Sequence, residues 1–180
     1  MKKLLLIMSA LILACSSSCA QKRTVTPTKK TNTTGGKLVN NPTVTDGKAL
    51  LEAIKAPYKG KVVVIDFWAT WCGPCMMAMK QIDPIKEKYL SAKKDVAFVY
   101  VTGETSPIET FNKTYPTIKG YHYRLSKEQF NNLFQSLSIE GIPTYMIINK
   151  DGSNAYDNIS TGGYPGDDVI TSQIDKALIK

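Results

Sequence analysis

Residues 61–75, KVVVIDFWATWCGPC, leave the chain few ways to fold. Val62 to Phe67 is a near-continuous run of β-branched and aromatic side chains, the pattern of a strand covered on both faces. A strand of that kind needs a layer above it and a layer below it, which points to a sheet flanked by helices. Directly after it stand Cys72 and Cys75, with Gly73 and Pro74 between them. Two thiols at this spacing can bind a metal, staple a loop or pass electrons.

The cysteine count narrows the choice. The chain opens with Lys2 and Lys3, the apolar run Leu4–Ala14 and the small residues of CSSSCAQ. That order predicts a secretory signal over residues 1–20. Crossing a bilayer takes roughly 20 apolar residues, so the run is too short to stay as a span. Two processing routes compete. ILAC resembles a bacterial lipoprotein box with Cys15 as the lipidated residue, although Leu13 is bulky for its place there; ordinary cleavage would fall after Ala20. The first route is preferred and would leave a lipid anchor on a membrane face; the second would free the protein. Either way Cys15 and Cys19 lie in or beside the signal, and only Cys72 and Cys75 belong to the folded part. A secreted fold held by structural disulfides would show more cysteines at wider spacings. One close pair reads as chemistry.

Charge excludes little but is informative. The formal net charge is +8, and removal of Lys2 and Lys3 leaves 8 − 2, or +6. The basic residues are scattered, with Lys22, Arg23, Lys29 and Lys30 in the leader. Nucleic-acid binding would need a basic stripe on folded structure and has no place in an exported protein. The leader QKRTVTPTKKTNTTGG holds a single large apolar side chain, Val25. It cannot bury enough to offset its ordering entropy, so residues 21–44 read as a flexible linker and 45–180 as one domain.

Within that domain TDGKALLEAIK predicts a helix, capped by Thr45 or Asp46, with Leu50, Leu51 and Ile54 on one side. CMMAMKQIDPIKEKYLSA predicts a second, with Met79, Ile82, Ile85 or Lys86, and Tyr89 at helical spacing. DVAFVYVTG is another buried strand, and strand, helix, strand implies a parallel crossover unit. SPIETFNKTYPTI and SKEQFNNLFQSLS read as helical, with KGYHYRL between them as a strand. TYMIINKDGSNAYDNIST is a hairpin turning at Lys150-Asp151-Gly152, and DDVITSQIDKALIK is a closing amphipathic helix.

The cysteine spacing has a physical solution. On a regular helix, side chains three apart have Cβ atoms about 5–6 Å apart, too far for a disulfide at about 3.5–4.5 Å. With Cys72 at the helix cap the distance closes, Pro74 falls harmlessly in the first turn, and the helix dipole favours a Cys72 thiolate. Lowering a thiol from about 8.5 to about 7 raises the thiolate fraction roughly 15-fold at pH 7, but weaker nucleophilicity returns about 5-fold of it. The larger consequences are a better leaving group and a more stable reduced form.

VVVIDFWATWCGPC, followed about seventy residues later by GIPTYMIINKDG, resembles the thioredoxin superfamily. The signal, and the helical segment before GIPT, make the chain similar to the TlpA/ResA branch of envelope thiol–disulfide oxidoreductases. The resemblance covers residues 45–180 and implies a thioredoxin fold: a mixed central sheet flanked by helices, with an added helical and strand insertion before the cis-proline strand. It implies Cys72 as nucleophile, Cys75 as resolving thiol, and Asp66 as the buried acid that takes the Cys75 proton. An isolated carboxylate in an apolar strand should have a raised pKa. Pro143 matches the family's cis-proline, and Ile142, Pro143, Trp71, Gly73 and Pro74 would form the surface that receives an extended substrate peptide. Gly162 and Gly163 fit the same groove or an ordinary loop.

The implied activity is reduction of protein disulfides in the cell envelope, in the periplasm or facing it from a membrane anchor. The partners would be cysteine-containing exported proteins and a membrane electron donor. The protein would act as a monomer and need no cofactor. The same residues run backwards would make an oxidase or isomerase, and a non-catalytic copper- or peptide-binding module is the rival from another class. Met76, Met77 and Met79 invite the copper reading, but His122 is the sole histidine, and copper carriers of this fold add a histidine to the cysteines. Structural zinc needs four ligands, so no metal is expected. Three departures from the family stand out. Lys80 takes the place of a proline five residues past the second cysteine, with Pro84 coming later. VAFVYV holds no lysine matching the one many thioredoxins place near their buried aspartate. KTYPTIKGYHYRLSKEQF matches no motif.

Overall fold

The apolar run after Lys61 forms β2 (Val62–Phe67), buried along its whole length, in a computed structural model that describes residues 35–180. The other strands are β1 (Gly36–Leu38), β3 (Val96–Gly103), β4 (Gly120–Leu125), β5 (Thr144–Ile148) and β6 (Asn154–Asp157). They make one sheet in the order β1-β4-β3-β2-β5-β6. β1, β4, β3 and β2 run parallel; β5 is antiparallel to β2, and β6 is antiparallel to β5. The helices are α1 (Gly47–Lys55), α2 (Gly73–Ser91), α3 (Ile108–Thr114), α4 (Lys127–Leu137) and α5 (Asp167–Ile179). The mixed sheet flanked by helices is the fold expected from the sequence.

Alternation along the strands sorts the core into two halves. Val62 and Val64 face Met79, Ile82 and Tyr89 of α2 and Ile170 and Ile174 of α5. Val63, Ile65 and Phe67 face Leu50, Leu51 and Ile54 of α1 and Leu133 of α4. Local chemistry fixes the helix starts. Asp46 caps α1 by accepting from Ala49 N–H at 2.8 Å. Ser126 and Gln129 form a reciprocal capping box on α4, each side chain bonding the other's backbone N–H at 3.2 Å. α2 runs on through Pro84, whose missing N–H leaves the Lys80 carbonyl without its helical donor.

The ordered domain starts earlier than the boundary at Thr45 drawn from the sequence. β1 pairs with β4, and Val39 N–H bonds His122 O at 2.9 Å. The Gln129 amide then holds Pro42 O at 2.7 Å and Val44 O at 2.9 Å. Backbone hydrogen bonds order this stretch, and hydropathy cannot register them. Glycine is required at its head, because a Cβ on Gly36 would sit 1.9 Å from Tyr115 O. β4 fills the place between β1 and β3, so the strand of the motif-free segment 113–130 enters the sheet between them. No helix among the described residues is long and apolar enough to cross a membrane. The predicted signal, Cys15 and the basic leader lie outside the described residues.

Candidate active site

β2 ends at Phe67, and five residues later Cys72 takes up an extended backbone (φ −82°, ψ 96°) as the N-cap of α2. That break from helical geometry brings the Cα atoms of Cys72 and Cys75 to 5.2 Å, and a disulfide joins them. The Cys72 sulfur accepts from Cys75 N–H at 3.2 Å, so it sits against the donor-rich end of the helix. Pro74 occupies the first turn. Cys75 is fully buried, while Cys72 keeps 4% of its surface and is the more accessible of the two. Trp71, just before it, is 62% exposed, and Met77 is similarly open.

The loop carrying Trp71 is pinned from below. Trp68 N–H bonds Val101 O at 3.0 Å. Thr70 N–H bonds the buried Ser106 hydroxyl at 3.0 Å, which pairs in turn with Thr102 Oγ1 at 2.8 Å. Arg124 donates through Nε and Nη2 to Ser106 O at 3.1 and 3.0 Å. Sequence reading missed Ser106 and Arg124, which carry no motif and act through loop geometry alone.

The Ile142–Pro143 bond is cis, and the Ile142 carbonyl lies 3.8 Å from the Cys72 sulfur. Gly162 (φ 60°) and Gly163 (φ 78°) form the adjoining loop, and Gly163 N–H donates to Pro143 O at 2.8 Å. Asn158 ties these pieces together. Its Oδ1 accepts from Tyr145 N–H at 2.7 Å, and its Nδ2 donates to Gly162 O at 3.0 Å and Gly163 O at 2.7 Å. Asn158→Ala strips partners from three backbone groups at this buried joint. We expect a loss of about 2–4 kcal/mol in urea unfolding, and a loss below about 1 kcal/mol would mean these bonds do not hold the joint.

Asp66 follows Val62 and Val64 onto the face of β2 that α2 covers, in a row that crosses the sheet. Tyr145 (β5), Asp66 (β2), Tyr100 (β3) and His122 (β4) are successive register partners. Asp66 is 2% exposed, and neither carboxyl oxygen has a hydrogen-bond partner. Burial pushes it up to about 8, opposed by the facing Tyr145 hydroxyl and by Lys86. Tyr145 Oη, His122 Nδ1 and Trp68 Nε1 are likewise buried and unpaired. His122 stacks on Tyr100 with ring centroids 4.8 Å apart, and its Nε2 meets Ile118 O at 2.8 Å. Burial lowers it to about 4, so the ring is neutral at pH 7. The structure thus gathers Cys72, Cys75, Trp71, Gly73, Pro74, Ile142 and Pro143 at one sheet end, and Asp66 is buried in the neighbouring strand β2.

Comparison with known proteins agrees with this geometry. A family model described as thioredoxin-like matches residues 60–154. The thiol–disulfide oxidoreductase ResA of Bacillus thuringiensis (strain Al Hakam) is 27% identical over 117 residues, 65% of each chain. The matches span 45 to 65% of the length of such curated relatives. A crystallised protein of Bacteroides vulgatus, assigned as a thiol–disulfide oxidoreductase, is 30% identical with a TM-score of 0.51, over 68% of this chain and 82% of that one. A Chlorobium tepidum protein assigned as the thiol:disulfide interchange protein DsbE is 24% identical with a TM-score of 0.54, over 68% of this chain and 84% of that one, a likeness of fold alone.

Proposed function

The chain belongs to the thioredoxin-like family, and on that premise we propose that it is an exported thiol–disulfide oxidoreductase that reduces protein disulfides in the cell envelope. One observation carries the reading: a disulfide at the start of α2 whose more accessible sulfur lies beside the Ile142 carbonyl and the cis-proline.

The cycle starts from the dithiol. Cys72 thiolate attacks one sulfur of a substrate disulfide, forming a mixed disulfide and expelling the other substrate sulfur as thiolate. Cys75 gives its proton to ionised Asp66 and attacks Cys72 Sγ. The Cys72–Cys75 disulfide forms, and the second substrate sulfur leaves as thiolate. Two electrons have passed to the substrate, and a membrane dithiol reductant restores the pair. No cofactor enters. Export rests on the basic start and apolar run of residues 2–14, with a lipid anchor at Cys15 or release after Ala20 as the two endings.

Direction is read from what surrounds the sulfurs. Strong oxidants of this fold owe their power to an unusually stabilised thiolate, often helped by a histidine between the cysteines. Here Gly73 and Pro74 stand between them, and Ile142 precedes the cis-proline. The potential should fall within about 50 mV of roughly −270 mV. A glutathione titration, run beside insulin-disulfide reduction, measures it. A value above about −180 mV would make the protein an oxidant or isomerase.

A further inference from the structure

A lysine that is 1% exposed needs an explanation, and Lys86 on α2 is one. Its position in the helix is a core position, on the same stripe as Met79, Ile82 and Tyr89. Its ammonium donates to Tyr100 Oη at 3.1 Å and pairs with Asp83 Oδ1 at 2.7 Å. The Nζ also stands 5.4 Å from the centroid of the Tyr100 ring. Tyr100 is the register partner of Asp66. The helix therefore lowers one cation onto the row of polar side chains that includes Asp66.

The other groups facing that row are neutral near pH 7. Burial raises the Tyr100 and Tyr145 hydroxyls above their ordinary range, and burial with the Asp167 bond does the same to Tyr164, ahead of α5. His122 from β4 is held unprotonated by burial. The disulfide of Cys72 and Cys75 at the start of α2 carries no charge. Asp83 is 57% exposed at its side chain, so solvent screens it while Lys86 lies inside. Farther along α5, Asp175 is engaged by Tyr89 Oη at 2.7 Å. Among the described residues Lys86 is the cation that acts on Asp66 from within the core. β3, VAFVYVTG, has no lysine to offer.

We propose that Lys86, entering from α2, is the positioning residue that sets how readily Asp66 releases and accepts a proton. It acts through the field at the carboxyl and touches no substrate. The inference rests on the reading of Asp66 as the acceptor of the Cys75 proton. Tyr100 fixes the ammonium at the sheet surface, and Asp83 draws part of its charge toward solvent.

The experiment follows the Asp66 carboxyl carbon by NMR against pH in the oxidised full-length protein, a readout that needs no turnover. Lys86→Met should move the Asp66 midpoint up by about one pH unit or more, while Lys86→Arg leaves it near the wild-type value. Asp83→Asn removes the exposed carboxylate, and should move the midpoint down with the fold intact. That second arm stands even if the apolar substitution fails to fold. An Asp66 midpoint that does not respond to Lys86→Met in a folded protein, or to Asp83→Asn, overturns the proposal. Stopped-flow resolution of the mixed disulfide is then run on the same variants. If the midpoint moves and the pH profile of resolution does not follow it, the role of Lys86 stands and the assigned role of Asp66 fails.

Discussion

Cys72→Ser should lower insulin-disulfide reduction by roughly three orders of magnitude or more, to the background rate. Cys75→Ser should instead stop each molecule after one attack and accumulate mixed disulfides. The difference follows from position. Cys72 is the helix cap, next to the Ile142 carbonyl and 4% exposed, whereas Cys75 is inside the first turn with no exposed surface. A serine hydroxyl does not ionise near neutral pH and cannot replace the attacking thiolate. Mass spectrometry of the reduced protein after brief alkylation at pH 7 checks the order independently. Faster labelling of Cys75 than of Cys72 would reverse the two roles.

Much of this site was legible because its chemistry is local. A disulfide over three residues demands a non-helical first cysteine, so the cap at Cys72 could be inferred from spacing. β2, β3 and the two helices beside the cysteines follow from apolar periodicity, and the buried Asp66 from one carboxylate in an apolar run. Other parts depend on distant partners. Residues 36–44 are ordered by backbone bonds to β4 and the Gln129 amide, so a polar stretch that reads as linker is structural. Ser106 and Asn158 hold the loops from segments with no pattern of their own. Lys86 is intermediate: it falls on the apolar stripe of α2, yet its meaning depends on Tyr100, which only strand register places opposite Asp66. The absence of a lysine in β3 was readable, and its replacement from a helix was not.

Asp66→Asn should stabilise the oxidised protein in a pH-dependent way while slowing its chemistry. Burial raises the folded carboxyl from 3.8 to about 8. Between those values the folded state holds a proton that the unfolded chain has released, so folding loses about 1.4 kcal/mol per pH unit as pH rises. The stabilisation is complete below the unfolded pKa and gone above the folded one. By pH 8 the wild type has lost on the order of 5 kcal/mol relative to pH 4. Asparagine has no proton to lose, so the advantage of the variant should be small near pH 4 and grow toward that figure at pH 8. Denaturant unfolding at pH 5 and pH 8 measures it. A gain independent of pH would show that the carboxyl is already ionised in the folded protein. The catalytic side has the opposite sign. Near pH 7 only about a tenth of the wild-type molecules carry the carboxylate, enough to take the Cys75 proton, and the amide carries none. Release of the mixed disulfide should therefore slow in Asp66→Asn, with the first attack by Cys72 nearly unchanged. Equal turnover of both steps in stopped-flow assays would remove Asp66 from the mechanism, leaving a buried acid that costs stability for nothing.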